Sequence, residues 1–385
     1  MNKINDLFKY LPSETIDWDL INKDLLYPYY KQMKETMQEP TWHAEGDVYT
    51  HTQMVCNKLI NLDEYKELFE IEKLVLFLTC LFHDIAKPIC TKMENGKIVS
   101  PKHAIRGSQM IREHLWKNLG LSGKKEYQSF RESICLLIRY HSTPINFHGD
   151  KLDKKILKVA CTQNLAPYFS NKMLSITSTA DALGRISNDD ETHFNNIENY
   201  KKRAKQLDCF DKPFNFVSDY TKYQYFNKAN IWYQQELYDK TVGKVIMVCG
   251  LPGTGKDTYI NTKLNGLLMV SLDNIRDELK IKNNDAQGKV SQTAKEKIKE
   301  YLRTKTNFIF NATNLSAHIR IKYLNLFKDY NFKVEIIFLE TEYNKNLERD
   351  NQRVKSVGKK IIDELLTKID IPEVDEAEII KWECV

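Results

Sequence analysis

Four histidines and two aspartates in the N-terminal half of the chain are suited to bind metal ions. They are His51, His83, Asp84, His103, His141 and Asp181. Imidazole nitrogens and carboxylate oxygens are ligands of Mn²⁺, Fe²⁺, Co²⁺, Ni²⁺ and Zn²⁺. A carboxylate beside a histidine can bridge two ions about 3.5–4 Å apart, and such a pair polarises a phosphoryl group and supplies a hydroxide at neutral pH. The set therefore predicts a site for two divalent transition metals.

Lys87 follows the adjacent pair His83 and Asp84 by about one helical turn, and its charge could contact a bound phosphate. A single histidine on an apolar helix face usually has only a packing role, so the alternative is a set of structural histidines. The metal site is favoured because all six residues lie in helical segments that can converge on one core.

A glycine-rich loop in the C-terminal half follows the apolar run Val245–Cys249. The loop consists of Gly250, Leu251, Pro252, Gly253, Thr254, Gly255, Lys256, Asp257 and Thr258. Glycines allow backbone N–H groups to approach phosphates, the following helix presents its positive N-terminal end, and Lys256 reaches the transferred phosphate. A strand, this loop and a helix in succession predict binding of ATP or another NTP with Mg²⁺.

The loop departs from the usual pattern at one position. Asp257 follows Lys256, where a serine or threonine hydroxyl normally contacts Mg²⁺. Either the Asp257 carboxylate or the Thr258 hydroxyl could take that task, and the sequence leaves both open.

A second predicted strand is followed by Asp273 and Arg276. Functional groups lie at the carboxyl ends of strands in an open parallel sheet, so Asp273 is placed to take a proton from a hydroxyl acceptor. Arg276 could hold an acceptor phosphate through two hydrogen bonds. The alternative is that Asp273 only caps the following helix.

Further polar residues follow the third predicted strand, Phe308–Phe310, and the fourth, Val334–Leu339. Thr313, Asn314 and Arg320 are predicted to contact the acceptor. Arg349 and Arg353 are spaced to share one helix face and are predicted to close over the phosphates and stabilise the transferring group. The alternative for either arginine is an exposed basic helix.

The segments that must position these residues differ between the two halves. Residues 1–210 have helical periodicity and are predicted to form one all-α domain. Residues 242–385 alternate short apolar runs with charged helical segments, which predicts an α/β domain with a parallel sheet. Residues 211–241 are rich in aromatic side chains. They could stack bases, but the favoured interpretation is a bridging segment packed between the domains.

Composition sets the class of protein. Hydrophobic residues make up 42% and charged residues 28%, as in folded globular proteins. The net charge of +5 allows an anionic partner without requiring one. Eight cysteines without a C-x-x-C pair indicate reduced thiols, and the longest apolar run, Leu74–Phe82, is too short to span a membrane. These features predict a cytoplasmic protein without a membrane partner.

The order of the histidines and aspartates resembles the HD-domain phosphohydrolase superfamily over roughly residues 40–190. The stretch from Trp42 to Thr52 looks like the HD modules attached to some tRNA nucleotidyltransferases. The resemblance implies one metal ion bound by His51, His83, Asp84 and Asp181, and a second bound by His103, His141 and the shared Asp84. It leaves His43 either in contact with substrate or bracing its loop.

The C-terminal residues resemble the polynucleotide kinase family over about residues 243–375. That resemblance implies Asp273 as general base for a 5′-OH, Arg276 on the neighbouring nucleic-acid phosphate, and Arg349 or Arg353 on the transferring group. Nearly the whole chain resembles the bacterial HD-Pnk enzymes. The resemblance implies phosphorylation of 5′-OH ends of RNA or DNA and removal of 3′, 2′ or 2′,3′-cyclic phosphate, ahead of a ligase.

Two other functions remain open at this point. One is an HD nucleotidase fused to a nucleoside or other small-molecule kinase, since Lys256 and Asp273 would serve either acceptor. The other is a regulatory protein in which one half binds nucleotide only to control the other.

Overall fold

The structure is a computed structural model that describes residues 2–149, 151–187, 190–281 and 286–385. It divides into two compact units. Residues 1–121 and 126–214 form the first, here called the helical unit, and residues 122–125 and 215–385 form the second, called the sheet unit. Most of the aromatic segment 211–241 therefore falls within the sheet unit.

The helical unit begins with a 3₁₀ helix at Asn5–Tyr10 and contains a π-helical turn at His114–Asn118. Its α-helices are α1 (Trp18–Asp24), α2 (Tyr29–Glu35), α3 (Val48–Asn61), α4 (Asp63–Lys66), α5 (Glu70–Phe82), α6 (Lys87–Cys90), α7 (His103–Glu113), α8 (Lys125–Tyr140), α9 (Leu152–Thr162), α10 (Asn171–Leu183) and α11 (Asp190–Gln206). A small antiparallel hairpin joins β1 (Lys92–Glu94) to β2 (Lys97–Val99).

Helices α3, α5 and α10 pack against one another in the centre of this unit. All residues of the apolar run Leu74–Phe82 in α5 are buried, and each large apolar side chain contributes about 1.5–3 kcal/mol by leaving water. The Asp47 side chain caps α3 and the Ser170 side chain caps α10, which fixes where these helices begin. The packing brings the polar residues on or just after the three helices to one place.

The described part of the sheet unit contains five strands and several helices. Its strands are β3 (Gly243–Cys249), β4 (Leu268–Ser271), β5 (Phe308–Asn311), β6 (Phe332–Glu340) and β7 (Ile379–Cys384). Its helices are α12 (Asp219–Asn227), α13 (Lys256–Lys263), α14 (Leu272–Glu278), α15 (Gln287–Arg303), α16 (Ala317–Asp329), α17 (Tyr343–Asn351) and α18 (Lys359–Leu366).

The five strands form one parallel sheet in the order β4-β5-β3-β6-β7. Strands β3, β5 and β6 are almost entirely buried, as expected when helices cover both faces of a parallel sheet. The central strand β3 has β4 and β5 on one side and β6 and β7 on the other. Its carboxyl end is therefore the place where the chain changes side, which is where such sheets bind ligands.

The predicted fold class is confirmed, because a helical N-terminal region precedes an α/β region with a parallel sheet. Within the described residues, the helices are too short or too polar to cross a membrane.

Candidate active sites

The structure brings the six predicted metal ligands together in the helical unit. They form two groups, and within each group the ligand atoms lie within 4.8 Å of one another. One group consists of His51, His83 and Asp181, and the other of Asp84, His103 and His141. The distance from His51 Nε2 is 3.2 Å to Asp181 Oδ1 and 3.6 Å to Asp84 Oδ2. The distance from Asp84 Oδ1 to His103 Nε2 is 3.3 Å, so Asp84 lies between the groups.

Backbone carbonyls fix the orientation of the imidazoles. Three histidines place Nδ1 at 2.7–2.8 Å from the carbonyl oxygen three residues earlier: His83 with Cys80, His103 with Ser100, and His141 with Ile138. A donor at Nδ1 places the lone pair on Nε2. Such hydrogen bonds are the usual way in which proteins orient metal-binding histidines.

Two further observations fit a bound metal ion. Asp84 is buried, and its Oδ1 makes no hydrogen bond within the described part of the chain. A buried carboxylate oxygen without a hydrogen bond is costly, and a cation would remove that cost. Burial also lowers the pKa of His141 to about 3, so its imidazole is neutral and available as a ligand at pH 7. The donor set therefore fits divalent transition metals.

Two cationic side chains lie against the carboxylates of this cluster. Lys87 is buried, and its ammonium lies 2.7 Å from Asp84 Oδ2 and 2.5 Å from Gln38 Oε1. Arg185 binds both oxygens of Asp181, with Nε at 3.1 Å from Oδ1 and Nη2 at 2.7 Å from Oδ2. Paired bonds of this kind fix the plane of a carboxylate. Sequence reasoning missed Arg185, although it follows Asp181 by one helical turn.

Glu45 is a second residue that sequence reasoning missed. Its Oε1 lies 2.7 Å from His43 Nδ1 and 2.9 Å from His51 Nδ1, and its Oε2 accepts a hydrogen bond from the Ile186 backbone N–H. Burial opposes its charge, but the hydrogen bonds from His43 and His51 outweigh burial and lower its pKa. Glu45 thus links the His43 ring to the ring of the predicted ligand His51.

The glycine-rich loop joins β3 to α13 in the sheet unit, with Gly255 directly before the helix. Gly253 has a φ of +81°, and a Cβ there would lie 2.7 Å from the carbonyl oxygen of Asn346 in α17. A larger residue would both strain the backbone and push α17 away from the loop. Glycine at this position therefore allows the loop and α17 to pack closely.

Lys256 bends back over the loop, where its ammonium donates to the Gly250 and Leu251 carbonyls at 3.0 and 2.9 Å. Burial lowers its pKa to about 8. Backbone N–H groups, a helix N-terminus and this ammonium on one loop form an anion-binding arrangement suited to phosphates.

Asp257 lies in the first turn of α13 with its side chain exposed. Its Oδ1 accepts a hydrogen bond of 2.8 Å from Asn311 Nδ2, and Asn311 ends the neighbouring strand β5. Thr258 is exposed as well.

Asp273 is exposed, with 70% of its side chain accessible. Its Oδ1 lies 2.6 Å from Arg276 Nη1, and its Oδ2 lies 3.9 Å from Arg353 Nη2. The N-cap of α14 is Ser271, whose hydroxyl accepts the Asn274 N–H. The alternative that Asp273 is the helix cap is therefore wrong.

The two arginines predicted on one helix face are arranged differently. Arg349 lies on α17, with Nη1 3.4 Å from the Thr254 carbonyl oxygen of the loop. Helix α17 ends at Asn351, so Arg353 lies beyond it. The helix ends there because the buried Asp350 carboxylate accepts hydrogen bonds from later residues and turns the chain. Its donors are the Ser356 hydroxyl and the backbone N–H groups of Val357 and Gly358.

The acceptor role predicted for Arg320 needs correction, because the structure does not bring this residue into the site. Arg320 is fully buried and binds both carboxylate oxygens of Glu376 at 2.7 Å. It also donates to three backbone carbonyls: Asn314, Leu315 and Asp370. With its donors used in this way, its role is structural. Thr313 does lie beside the glycine-rich loop, since its carbonyl accepts the Gly250 N–H at 3.0 Å, and Asn314 directly follows it in the chain.

Comparison with known proteins assigns both regions to broad families. Residues 48–162 match the family model described as HD domain, and residues 245–370 match the one described as AAA domain. No curated protein matches the chain. A crystal structure of a candidate kinase from Chloroflexus aurantiacus J-10-fl is 20% identical, covering 37% of this chain and 86% of that one, with a TM-score of 0.31. A similarity at that level supports no functional inference.

The matches and the geometry agree on the general nature of each region. The HD match covers five of the six clustered ligands, and the AAA match begins in the strand that precedes the phosphate-binding loop. The chain therefore contains an HD domain with a histidine and aspartate metal cluster, followed by a kinase-like P-loop domain that implies NTP binding.

Proposed function

We propose that this protein heals broken nucleic acids. In this proposal the sheet unit transfers phosphate from ATP or another NTP, with Mg²⁺, to a 5′-OH end of RNA or DNA. The helical unit removes phosphate from 3′, 2′ or 2′,3′-cyclic ends. The observation that carries the polynucleotide acceptor is the exposed Asp273 beside Arg276 and Arg353. An exposed base can be reached by the end of a long chain, and arginines suit its phosphodiesters.

In the kinase reaction, Lys256 would bind the transferred phosphate and Asp273 would take the proton of the 5′-OH. Arg276 would contact the adjacent phosphate of the acceptor. Arg349 and Arg353 approach the loop and Asp273, respectively, and would stabilise the charge that develops on the transferring group.

In the hydrolytic reaction, His51, His83 and Asp181 would hold one ion, His103 and His141 the other, and Asp84 both. Bound divalent ions would polarise the phosphate ester and activate water. Lys87 would neutralise the phosphate, and Arg185 and Glu45 would keep Asp181 and His51 in place. The resulting 5′-phosphate and 3′-OH ends would suit a ligase.

The test is an assay with end-labelled RNA and DNA oligonucleotides that carry 5′-OH and 3′-phosphate ends. It is run with ATP and Mg²⁺, and separately with Mn²⁺, Co²⁺ or Ni²⁺. We expect a gain of 5′-phosphate in the first condition and a loss of 3′-phosphate in the second. If a free nucleoside accepts phosphate as well as the oligonucleotide does, the protein is a small-molecule kinase fused to a nucleotidase.

A further inference from the structure

The carboxylate of Asp257 stands where phosphate-binding loops usually carry a neutral hydroxyl. It immediately follows Lys256 in the first turn of α13, beside the positive end of the helix. A hydroxyl at this place adds no charge to the phosphate site. A carboxylate adds a full negative charge next to the position that several phosphate charges must occupy.

Asn311 holds this carboxylate from the neighbouring strand. Asn311 is buried, and its Nδ2 donates to Asp257 Oδ1 at 2.8 Å. The Oδ1 of Asn311 is also buried, and it makes no hydrogen bond within the described residues. A buried amide oxygen without a hydrogen bond is costly. The pair therefore includes a carboxylate and an amide oxygen without a hydrogen bond, and carboxylate and carbonyl oxygens are the ligands that a hard cation such as Mg²⁺ prefers.

The extra charge has opposite effects on the two ligands of the site. It repels a nucleoside triphosphate that carries no metal, because like charges a few ångströms apart interact strongly near a protein surface. It attracts the divalent cation that accompanies the nucleotide. Since both effects favour the metal–nucleotide complex over free nucleotide, the binding of cation and nucleotide must be coupled.

We propose that Asp257, positioned by Asn311, makes the sheet unit select the metal–nucleotide complex and exclude metal-free nucleotide. The inference rests on the nucleotide-binding part of the proposed function and does not depend on the acceptor. The competing role for Asp257 is that of an acidic residue that stabilises the first turn of α13 through the helix dipole.

The experiment measures ATP affinity of the full-length protein by calorimetry, in EDTA and in Mg²⁺. The affinity for Mn²⁺, measured by electron paramagnetic resonance with and without ATP, gives the same coupling free energy, because coupling between two ligands is reciprocal. We expect Asp257→Ser to bind metal-free ATP about 10-fold more tightly than wild type does. The ratio of the ATP affinity in Mg²⁺ to the ATP affinity in EDTA should therefore fall by at least about 10-fold, which corresponds to about 1.4 kcal/mol. Because Asp257 is exposed, the variant should remain folded.

Two further variants complete the design. Asp329→Ser removes the same charge from an exposed position at the end of α16, before the amino end of β6, whereas Asp257 follows the carboxyl end of β3. This variant should leave the ratio unchanged. Asn311→Ala, checked by thermal unfolding, should lower the ratio in the same direction but by less.

An unchanged ratio in Asp257→Ser would overturn the inference and leave only the helix-dipole role. A ratio that falls equally in Asp329→Ser would also overturn it, because the effect would then be one of net charge. The assay contains no acceptor. Failure to phosphorylate 5′-OH ends would therefore refute the proposed function without changing this result.

Discussion

The two candidate sites are built in different ways. In the helical unit the predicted metal ligands are buried, apart from the partly exposed His103, and each is held by a backbone carbonyl, a carboxylate, a guanidinium or an ammonium group. In the sheet unit the phosphate-binding loop presents backbone groups, and its glycines adopt the positive φ angles that the loop requires. Asp273, the residue expected to perform chemistry, is exposed. A substitution in the first site should therefore disturb both structure and chemistry, whereas one in the second can remove chemistry alone.

The largest effect is expected for Asp84→Ala. Since this carboxylate lies between the two ligand groups, the variant should lose both ions and all dephosphorylation of 3′ ends. Residues that only support metal ligands typically change metal affinity or activity by about 10–100-fold when they are replaced, and the loss in Asp84→Ala should be larger. His141→Ala should lose chiefly the second ion. Bound metal per chain is measured by elemental analysis beside both end-specific assays.

His148→Ala replaces an exposed histidine and is the matched control for these variants. If Asp84→Ala keeps its metal and still dephosphorylates 3′ ends, the histidines are structural. If it also loses kinase activity, the two activities are coupled and the picture of independent sites fails.

A slightly smaller effect is expected for Asp273→Ala. Phosphorylation of 5′-OH ends should fall by about 10²–10⁴-fold, the contribution of a general base. Lys256→Ala should abolish the same reaction, and dephosphorylation should survive in both variants. Because Asp273 is exposed, its removal should change the free energy of unfolding by no more than about 0.5 kcal/mol. Asp329→Ala is the control, and a near-normal kinase rate in Asp273→Ala would refute its role as base.

Glu45→Gln tests whether a residue outside the ligand set supports the metal cluster. Both oxygens of Glu45 engage hydrogen-bond donors, and an amide has only one acceptor oxygen. We expect metal affinity to fall by about 10–100-fold, with activity restored by excess metal. Glu39→Gln is the control, because the Glu39 carboxylate likewise accepts a backbone hydrogen bond, from the Ile98 N–H. Equal metal affinity of wild type and Glu45→Gln would limit Glu45 to bracing its loop.

The smallest effect on activity is expected for Arg320→Met, which tests the structural role of this arginine. The variant leaves Glu376 without its guanidinium partner and should lower the free energy of unfolding by about 3–5 kcal/mol. Well below its unfolding temperature, kinase activity should stay within about two-fold of wild type. Arg303→Met, at an exposed position, is the control for stability. A selective rise in KM for the oligonucleotide would contradict the structural role and indicate that Arg320 contacts the acceptor.

Much of the fold could be predicted because its signals are local. The runs Val245–Cys249 and Val334–Leu339 lie within β3 and β6, and the buried run Leu74–Phe82 lies within α5. The final strand β7 was not predicted, because Lys381 and Glu383 interrupt its apolar residues at a partly exposed edge of the sheet. The hairpin of β1 and β2 was missed for a similar reason, since β1 is fully exposed.

Glu45, which sequence reasoning missed, and Arg320, which it misassigned, depend on distant contacts. Glu45 is one glutamate in a loop, and its place is set by His51 on α3 and by Ile186 after α10. Arg320 follows β5 closely enough to suggest a site residue, but its partner Glu376 lies 56 positions further along the chain. Spacing along the chain carries no information about such pairs.

The hydrogen bonds from histidine Nδ1 to backbone carbonyls determine how well the site should tolerate changes in chain length. His83, His103 and His141 each take their orientation from a peptide group three positions earlier, so insertions between them should leave each ring correctly turned. His51 differs, since its Nδ1 contacts Gly184 and Glu45. Gly184 also packs so closely on Val55 that a Cβ would lie 2.5 Å from its side chain. The segments at 45 and 184 are therefore where lengthening the chain should be least tolerated.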